Sequence, residues 1–309
     1  MESVGITDDE VQIAKETGKI TNISLHRIEP KDKNKTSKSS RPSLEDIAEE
    51  WAHVPSFGSV TGKECKKMST MAITVDEAFC HLRSSELPTI ETCHNGADRL
   101  RWSAMFHWLR APPKLDSALK PEYDLVLAIT QCSFSWTDVV HWRMVQTVYK
   151  RLTGSKLDCP QYGSHWLEIG FQGSDPSKDL RGVGMLGLVN LLYLATHSTT
   201  HTLALKLYSV ANSETQPFPL AVLSLNVSSI AVNALKGGRL NKECNARHSV
   251  FDVINLFYTV VINYIYNVWT TEHKTLKDSG ILLKDAERYC NKHVRRLLRE
   301  LPVALSKHQ

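Results

Sequence analysis

The sequence predicts an all-α fold. Three observations carry that prediction: apolar runs of helical length separated by capping and breaking residues, no regular alternation of strand and helix patterns, and no internal repeat. Of the 309 residues, 42% are hydrophobic and 23% charged, which suits one globular domain with extensions.

Taken in order, residues 1–42 read as a disordered polar tail, because the run from Lys31 to Arg41 offers almost nothing apolar to bury. Residues 43–112 read as a helical extension. Ser43 with Asp46, and Thr74 with Glu77, are capping-box-like starts for short helices reaching Ala52 and Leu82, and Pro55 to Lys67 reads as a loop between them. A helix from Ala97 to Leu109 should end before Pro112-Pro113, with Trp102, Phe106 and Trp108 packing on the core.

Residues 113–305 form the main helical domain. Its expected helices are Leu115 to Thr130, Trp136 to Leu152, Asp175 or Gly182 to Thr196, Thr202 to Val210, Leu220 to Leu235, Val250 to Thr270 and Ile281 to Leu301. The run from Leu220 is short and β-branched enough to suit a strand, but its neighbours favour a helix. Val250 to Trp269 carries Asp252, Asn255, Thr259, Asn263 and Asn267 at steps of three and four, a polar stripe expected on an amphipathic helix rather than on a membrane span. Val183 to Ala195 is too short to cross a bilayer.

The stretch from Trp166 to Leu194 is the most informative of the chain. Asp175 followed by Pro176 signals a helix start, since Asp accepts exposed backbone N–H groups and Pro suits the first helical position. Arg181 then stands between an acidic turn and a glycine-punctuated apolar helix. The set Trp166, Gly170, Phe171, Gln172, Gly173, Asp175, Pro176, Asp179, Arg181, Gly182, Gly184, Leu186 and Gly187 closely resembles the signature of the ELMO-domain family. The resemblance continues upstream through Pro112 to Leu115, Asp124 to Cys132 and Val148 to Lys156, and downstream through Pro217 to Pro219 and the helix from Val250. Lys178 departs from the pattern, which more often has threonine there.

This resemblance implies a GTPase-activating protein for GTP-bound Arf-family and Arf-like small GTPases, with Arg181 matching the arginine proposed to act in catalysis. Phosphoryl transfer spreads negative charge over the γ-phosphate oxygens, and the rigid, permanently charged guanidinium fork can stabilise it in trans. The remaining motif residues, from Trp166 to Gly184, are candidates for shaping or contacting the partner surface. A second reading of Arg181 stays open: two residues from Asp179 and six from Asp175, it could brace the turn by ion pairing. Gly182 and Gly184 could admit a partner's backbone or phosphate, although packing is the default for Gly184 and Gly187. The alternative function is a non-catalytic adaptor in small-GTPase, cytoskeletal or engulfment signalling.

Competing chemistries are weak. Gly58 to Glu64 imitates a phosphate loop but is one residue short between its glycines and ends in Glu where a hydroxyl must meet magnesium. His197 and His201 have the i, i+4 spacing of a metal pair without the companion ligands, and Cys80-His81 and Cys93-His94 lack an orienting partner. No cofactor and no metal is expected. The net charge of +4, without a basic stretch interleaved with aromatics, argues against nucleic acid. Seven scattered cysteines with no C-x-x-C pair, and an N-terminus without a signal-peptide pattern, lead to the expectation of a cytoplasmic protein. The last helix sets Lys284, Arg288, Lys292, Arg295, Arg296 and Arg299 against an apolar side, which reads first as the solvated outer face of a packed helix and leaves open association with a membrane surface, the cytoskeleton or an acidic GTPase.

Overall fold

Helices alone make up the regular structure of residues 69–85 and 113–308, the part of the chain that the computed structural model describes. The expected tail, the helix from Ser43, the loop from Pro55, the phosphate-loop imitation, the helix Ala97 to Leu109 and the Cys93-His94 pair lie outside the described residues. The described residues all fall within one contact unit, Ser69–Gln309. It includes the helix from Thr74 that the sequence grouped with an extension.

The elements in chain order are α1 (Val75–Ser84), a 3-10 turn (Ser117–Leu119) running into α2 (Lys120–Ile129), α3 (Val139–Thr153), the single turn α4 (His165–Glu168) and a 3-10 helix (Pro176–Gly182). Then come α5 (Gly184–Thr196), α6 (His201–Ala211), α7 (Leu220–Lys236), α8 (Asn241–Arg247), α9 (Val250–Thr271), α10 (Ser279–Lys292) and α11 (Val294–Ser306).

The hub is α5. Apart from Tyr193, every residue from Gly184 to Ala195 is buried, so this helix has no solvent face. Asn190 aside, its buried residues are apolar on every side because α1, α2, α3, α6, α7 and α9 pack about it. Leu188 and Leu192, one turn apart, are both fully buried there. Local chemistry sets the surrounding boundaries. Thr74 accepts the N–H of Glu77 to start α1, Asp138 accepts those of Val140 and His141 to start α3, and Ser249 accepts that of Asp252 to start α9. Gly154, with φ of 74°, closes α3 by donating its N–H to Lys150.

Three expectations need correction. The polar stripe of α9 does not face water: Asn255, Thr259 and Asn263 are buried, and only Asp252 and Asn267 are exposed. Each of the three buried side chains of the stripe has a partner. Asn190 of α5 donates to Asn255 Oδ1 at 2.9 Å, Thr259 bonds back to the Asn255 carbonyl, and Asn263 meets the ring of His308 at 2.7 Å. The stripe therefore keys α9 against α5 and the chain's last turn, since buried polar groups need partners.

The expected single helix from Ile281 to Leu301 is two helices, broken at His293. Its buried residues Leu282, Ala286, Cys290, Val294 and Leu298 recur every four residues. At 3.6 residues per turn such a row drifts by about 40° per step, so an unbroken helix would carry it away from α9. The break resets the row, and both halves pack on α9. The helix from Leu115 begins later than expected, at Lys120 with Pro121 in its first turn, and α4 and α8 are short helices with no sequence forecast.

Among the described residues no single helix is long and apolar enough to cross a membrane.

Candidate functional site

The motif is built on Trp166. This side chain is fully buried, its indole N–H donates to the Gln161 carbonyl at 3.0 Å, and the rings of Tyr149 and Phe171 meet it edge-on at 5.6 and 6.1 Å. Ile169 and Phe171 are buried beside it, which forces the intervening backbone into a tight turn. Gly170 makes that turn possible: its φ is 87°, and a Cβ there would lie 2.1 Å from the Leu220 nitrogen.

The close approach has a purpose. Pro219 offers α7 no side-chain cap, and the free N–H groups of Ala221 and Val222 donate instead to the carbonyls of Ile169 and Gly170 at 3.1 and 3.2 Å. The motif backbone thus caps the first turn of α7.

Asp175 starts the 3-10 helix as its sequence position suggested. Its Oδ1 accepts the Ser177 N–H at 3.1 Å, the Ser177 hydroxyl at 2.6 Å and the Trp136 indole N–H at 3.2 Å. Burial acts to raise this carboxyl, but the Ser177 and Trp136 donors outweigh it and hold the group below its ordinary range. Asp179 accepts the backbone N–H of Gln172 at 2.6 Å, tying the G-F-Q-G turn to the 3-10 helix. Burial, and secondarily the nearby Asp175, raise the Asp179 carboxyl against the lowering effect of that bond.

Both carboxylates are therefore engaged by donors other than Arg181. Arg181 itself is exposed, and among the described residues it makes no ion pair and no hydrogen bond through its side chain. The bracing role weighed for it belongs to Asp175 and Asp179. The base beneath Arg181 is firm: Leu180 and Val183 on either side of the Arg181-Gly182 pair are buried.

The other motif residues divide by burial. Trp166, Gly170, Phe171, Pro176 and Gly184 are buried, whereas Gln172, Gly173, Lys178, Arg181 and Gly182 are exposed. Gly184 has φ of 52°, and a Cβ on it would come within 2.5 Å of the Thr130 carbonyl oxygen and 2.7 Å of that of Cys132. It lets the start of α5 lie against the connection between α2 and α3, where Met185 N–H donates to Cys132 at 2.9 Å. A Cβ on Gly182, by contrast, would meet no atom within 4 Å.

The α2–α3 connection brings in residues the motif did not include. Phe134, Trp136, Trp142 and Tyr162 form a chain of ring contacts at 4.7 to 5.7 Å, joined to the motif by the Trp136–Asp175 bond. Tyr162 is 55% exposed. The signal was present in the aromatic-rich run from Ser133 to Trp142, but nothing in the sequence placed that run beside Asp175.

His81, Asp138 and His141 also converge, with potential ligand atoms within 4.8 Å of one another. Asp138 meets His81 Nε2 at 2.9 Å and His141 Nε2 at 3.9 Å. His141 Nδ1, however, accepts the Ser135 N–H at 3.1 Å, so the neutral ring carries its proton on Nε2 and offers no lone pair toward the other two. The trio reads as a clasp between α1 and the start of α3. His197 and His201 bond to Thr199 and to the Ala195 carbonyl, closing the α5–α6 turn.

The ELMO/CED-12 family model matches residues 124–283. ELMO domain-containing protein 3 of Homo sapiens is 39% identical over 261 residues, covering 84% of this chain and 68% of that protein. The Bos taurus protein of the same name is 39% identical over 260 residues, with the same coverage of 84% and 68%. ELMO domain-containing protein 2 of Mus musculus is 32% identical over 100 residues, 32% of this chain and 33% of that protein. No solved structure matches the chain. With the matched segment spanning α2 through the first turns of α10, and so enclosing the entire Trp166 to Gly184 site, the chain belongs to the ELMO/CED-12 family.

Proposed function

We propose that this chain is a GTPase-activating protein for GTP-bound Arf-family or Arf-like small GTPases, and that Arg181 enters the partner's active site to stabilise the transition state. The observation that carries the reading is the state of Arg181: exposed, free of both neighbouring carboxylates, and mounted between two buried residues. A guanidinium already paired with Asp179 would have to break that bond before reaching a phosphate. Here the fork is available, and its five donors suit the γ-phosphate oxygens as charge builds on them.

Two further features support it. Gly182 leaves room beside Arg181 for a partner's backbone. The Trp136–Tyr162 shelf, reached through Asp175, has the aromatic composition from which binding hot spots are made.

The test is single-turnover GTP hydrolysis by a panel of purified Arf and Arf-like GTPases, with and without this protein. Acceleration of at least one member, lost in Arg181→Ala, is the expected outcome. Saturable binding with unchanged hydrolysis across the panel would replace this reading with that of a non-catalytic adaptor.

A further inference from the structure

A second exposed surface is built from cations. In α10, Ile281, Lys284, Arg288 and Lys292 follow at steps of three and four and are all exposed. In α11, Arg295, Arg296, Arg299 and Val303 form a corresponding exposed stripe. Both helices pack their buried sides on α9, so both stripes face away from it. Arg239, which follows α7, joins Lys284, Arg288 and Lys292 around a recess of about 430 Å³ that Glu287 and Asn291 also line.

Internal pairing uses little of this charge. Arg288 meets Asp285 at 2.9 Å, while Arg296 meets the Tyr289 hydroxyl at 2.6 Å and Glu300 at 4.0 Å. Lys284, Lys292, Arg295, Arg299 and Arg239 form no ion pair among the described residues. Like charges one helical turn apart, as at Lys284, Arg288 and Lys292, oppose helix formation. An external polyanion would relieve that repulsion.

We infer that the outer face of α10 and α11 is a docking surface for an anionic lipid bilayer. Cations clustered on an amphipathic helix are the composition that anionic headgroups attract. Two exposed apolar side chains favour a bilayer over an acidic protein: Ile281 is 69% and Val303 is 66% exposed, at opposite ends of the cationic stretch. Each can enter between headgroups while the lysines and arginines stay at the phosphate level. The face stands apart from the motif. Gly170 meets the first residue of α7 and Arg239 follows the last, and a helix of 17 residues separates its ends by about 25 Å. The cationic face and the motif are therefore separate surfaces, and this inference does not depend on the GTPase reading.

Co-sedimentation of the full chain with phosphatidylcholine vesicles, with and without phosphatidylserine, tests it. Binding is expected only with phosphatidylserine and should weaken as salt rises. At about fivefold per cation, the triple variant Lys284→Gln, Arg288→Gln, Lys292→Gln should lose roughly 100-fold in partitioning while keeping its thermal midpoint. Arg295→Gln with Arg299→Gln should lose roughly 20-fold, which provides a second reading if the triple variant proves unstable. Equal binding to neutral vesicles, absence of binding, or wild-type binding by both variants would overturn the inference. So would a failure to bind vesicles combined with weakened capture of a purified GTPase by the same variants, which would reassign the face to an acidic protein surface.

Discussion

Asp179 accepts the backbone N–H of Gln172 at 2.6 Å across seven residues, and this bond joins the two halves of the family motif. Its consequence for Asp179→Ala is a loss of stability, since the Gln172 N–H loses its acceptor in a partly covered turn. About 1–3 kcal/mol is expected, read as a lowered midpoint in urea. Asp179→Asn keeps an acceptor oxygen and should lose less. Equal stability of Asp179→Ala and the wild-type chain would show that the turn holds without this bond.

Arg181 should behave in the opposite way. Arg181→Ala breaks no ion pair seen among the described residues, so its stability should stay within about 0.5 kcal/mol of wild type. In the proposed function it removes most of an acceleration that for such arginines reaches about 10³–10⁵-fold. Arg181→Lys should be nearly as inactive, because an ammonium cannot reproduce the planar fork. Full acceleration by Arg181→Ala in single-turnover assays would exclude a catalytic role.

Gly170 and Gly182 make a contrasting pair. Gly170→Ala puts a methyl 2.1 Å from the Leu220 nitrogen at a backbone φ of 87°, and the atoms it meets are backbone rather than flexible side-chain tips. A loss of about 4 kcal/mol or more is expected, enough to unfold a marginal domain. Gly182→Ala meets open space and should leave the melting temperature unchanged. Circular dichroism melts of the two variants side by side check both statements.

Leu188→Ala should cost about 2–5 kcal/mol, because Leu188 is fully buried in a helix covered on all sides. Leu205→Ala, on the exposed side of α6, is the control and should cost under about 1 kcal/mol. Comparable denaturation midpoints for the two would contradict the central position of α5.

Stability should fall as the solution is acidified from about pH 7.5 to about 5.5, through the ordinary histidine range. Burial lowers the pKa of His141, against the upward pull of Asp138, and burial with a contribution from Lys206 lowers that of His308. Both rings take up protons less readily in the fold than in the unfolded chain. Their contribution is therefore complete above the unfolded value and is lost as pH drops below it. Asp138, held below its ordinary value because its bonds to His81, His141 and Val140 outweigh burial, begins to matter only in stronger acid. His141→Gln with His308→Gln should flatten the urea-midpoint profile over this window.

Much of this was legible in the sequence because caps and breakers are local. Thr74, Asp138, Asp175 and Ser249 each stand where a helix begins, and Gly154 stands where α3 ends. The site was legible only as a set of residues. Arg181 could be singled out, but whether it braced the turn depended on where the Asp179 carboxylate points, and that is set by a backbone N–H seven residues away. The α9 stripe misled for a similar reason: Asn255 and Asn263 read as solvent-facing until their partners, Asn190 and His308, were brought in from distant segments. The break at His293 did have a local signal, the strict four-residue spacing from Leu282 to Leu298, which no straight helix can keep against one neighbour.

The capping of α7 by the carbonyls of Ile169 and Gly170 makes the motif turn and a core helix open or close together. Loosening the turn would leave two amides of α7 unpaired, so the segment carrying Arg181 inherits the resistance of the interior to local opening. In the proposed function, a guanidinium carried on such a foundation would meet its partner with the backbone beneath it already ordered, so that less of this segment is left to immobilise on association.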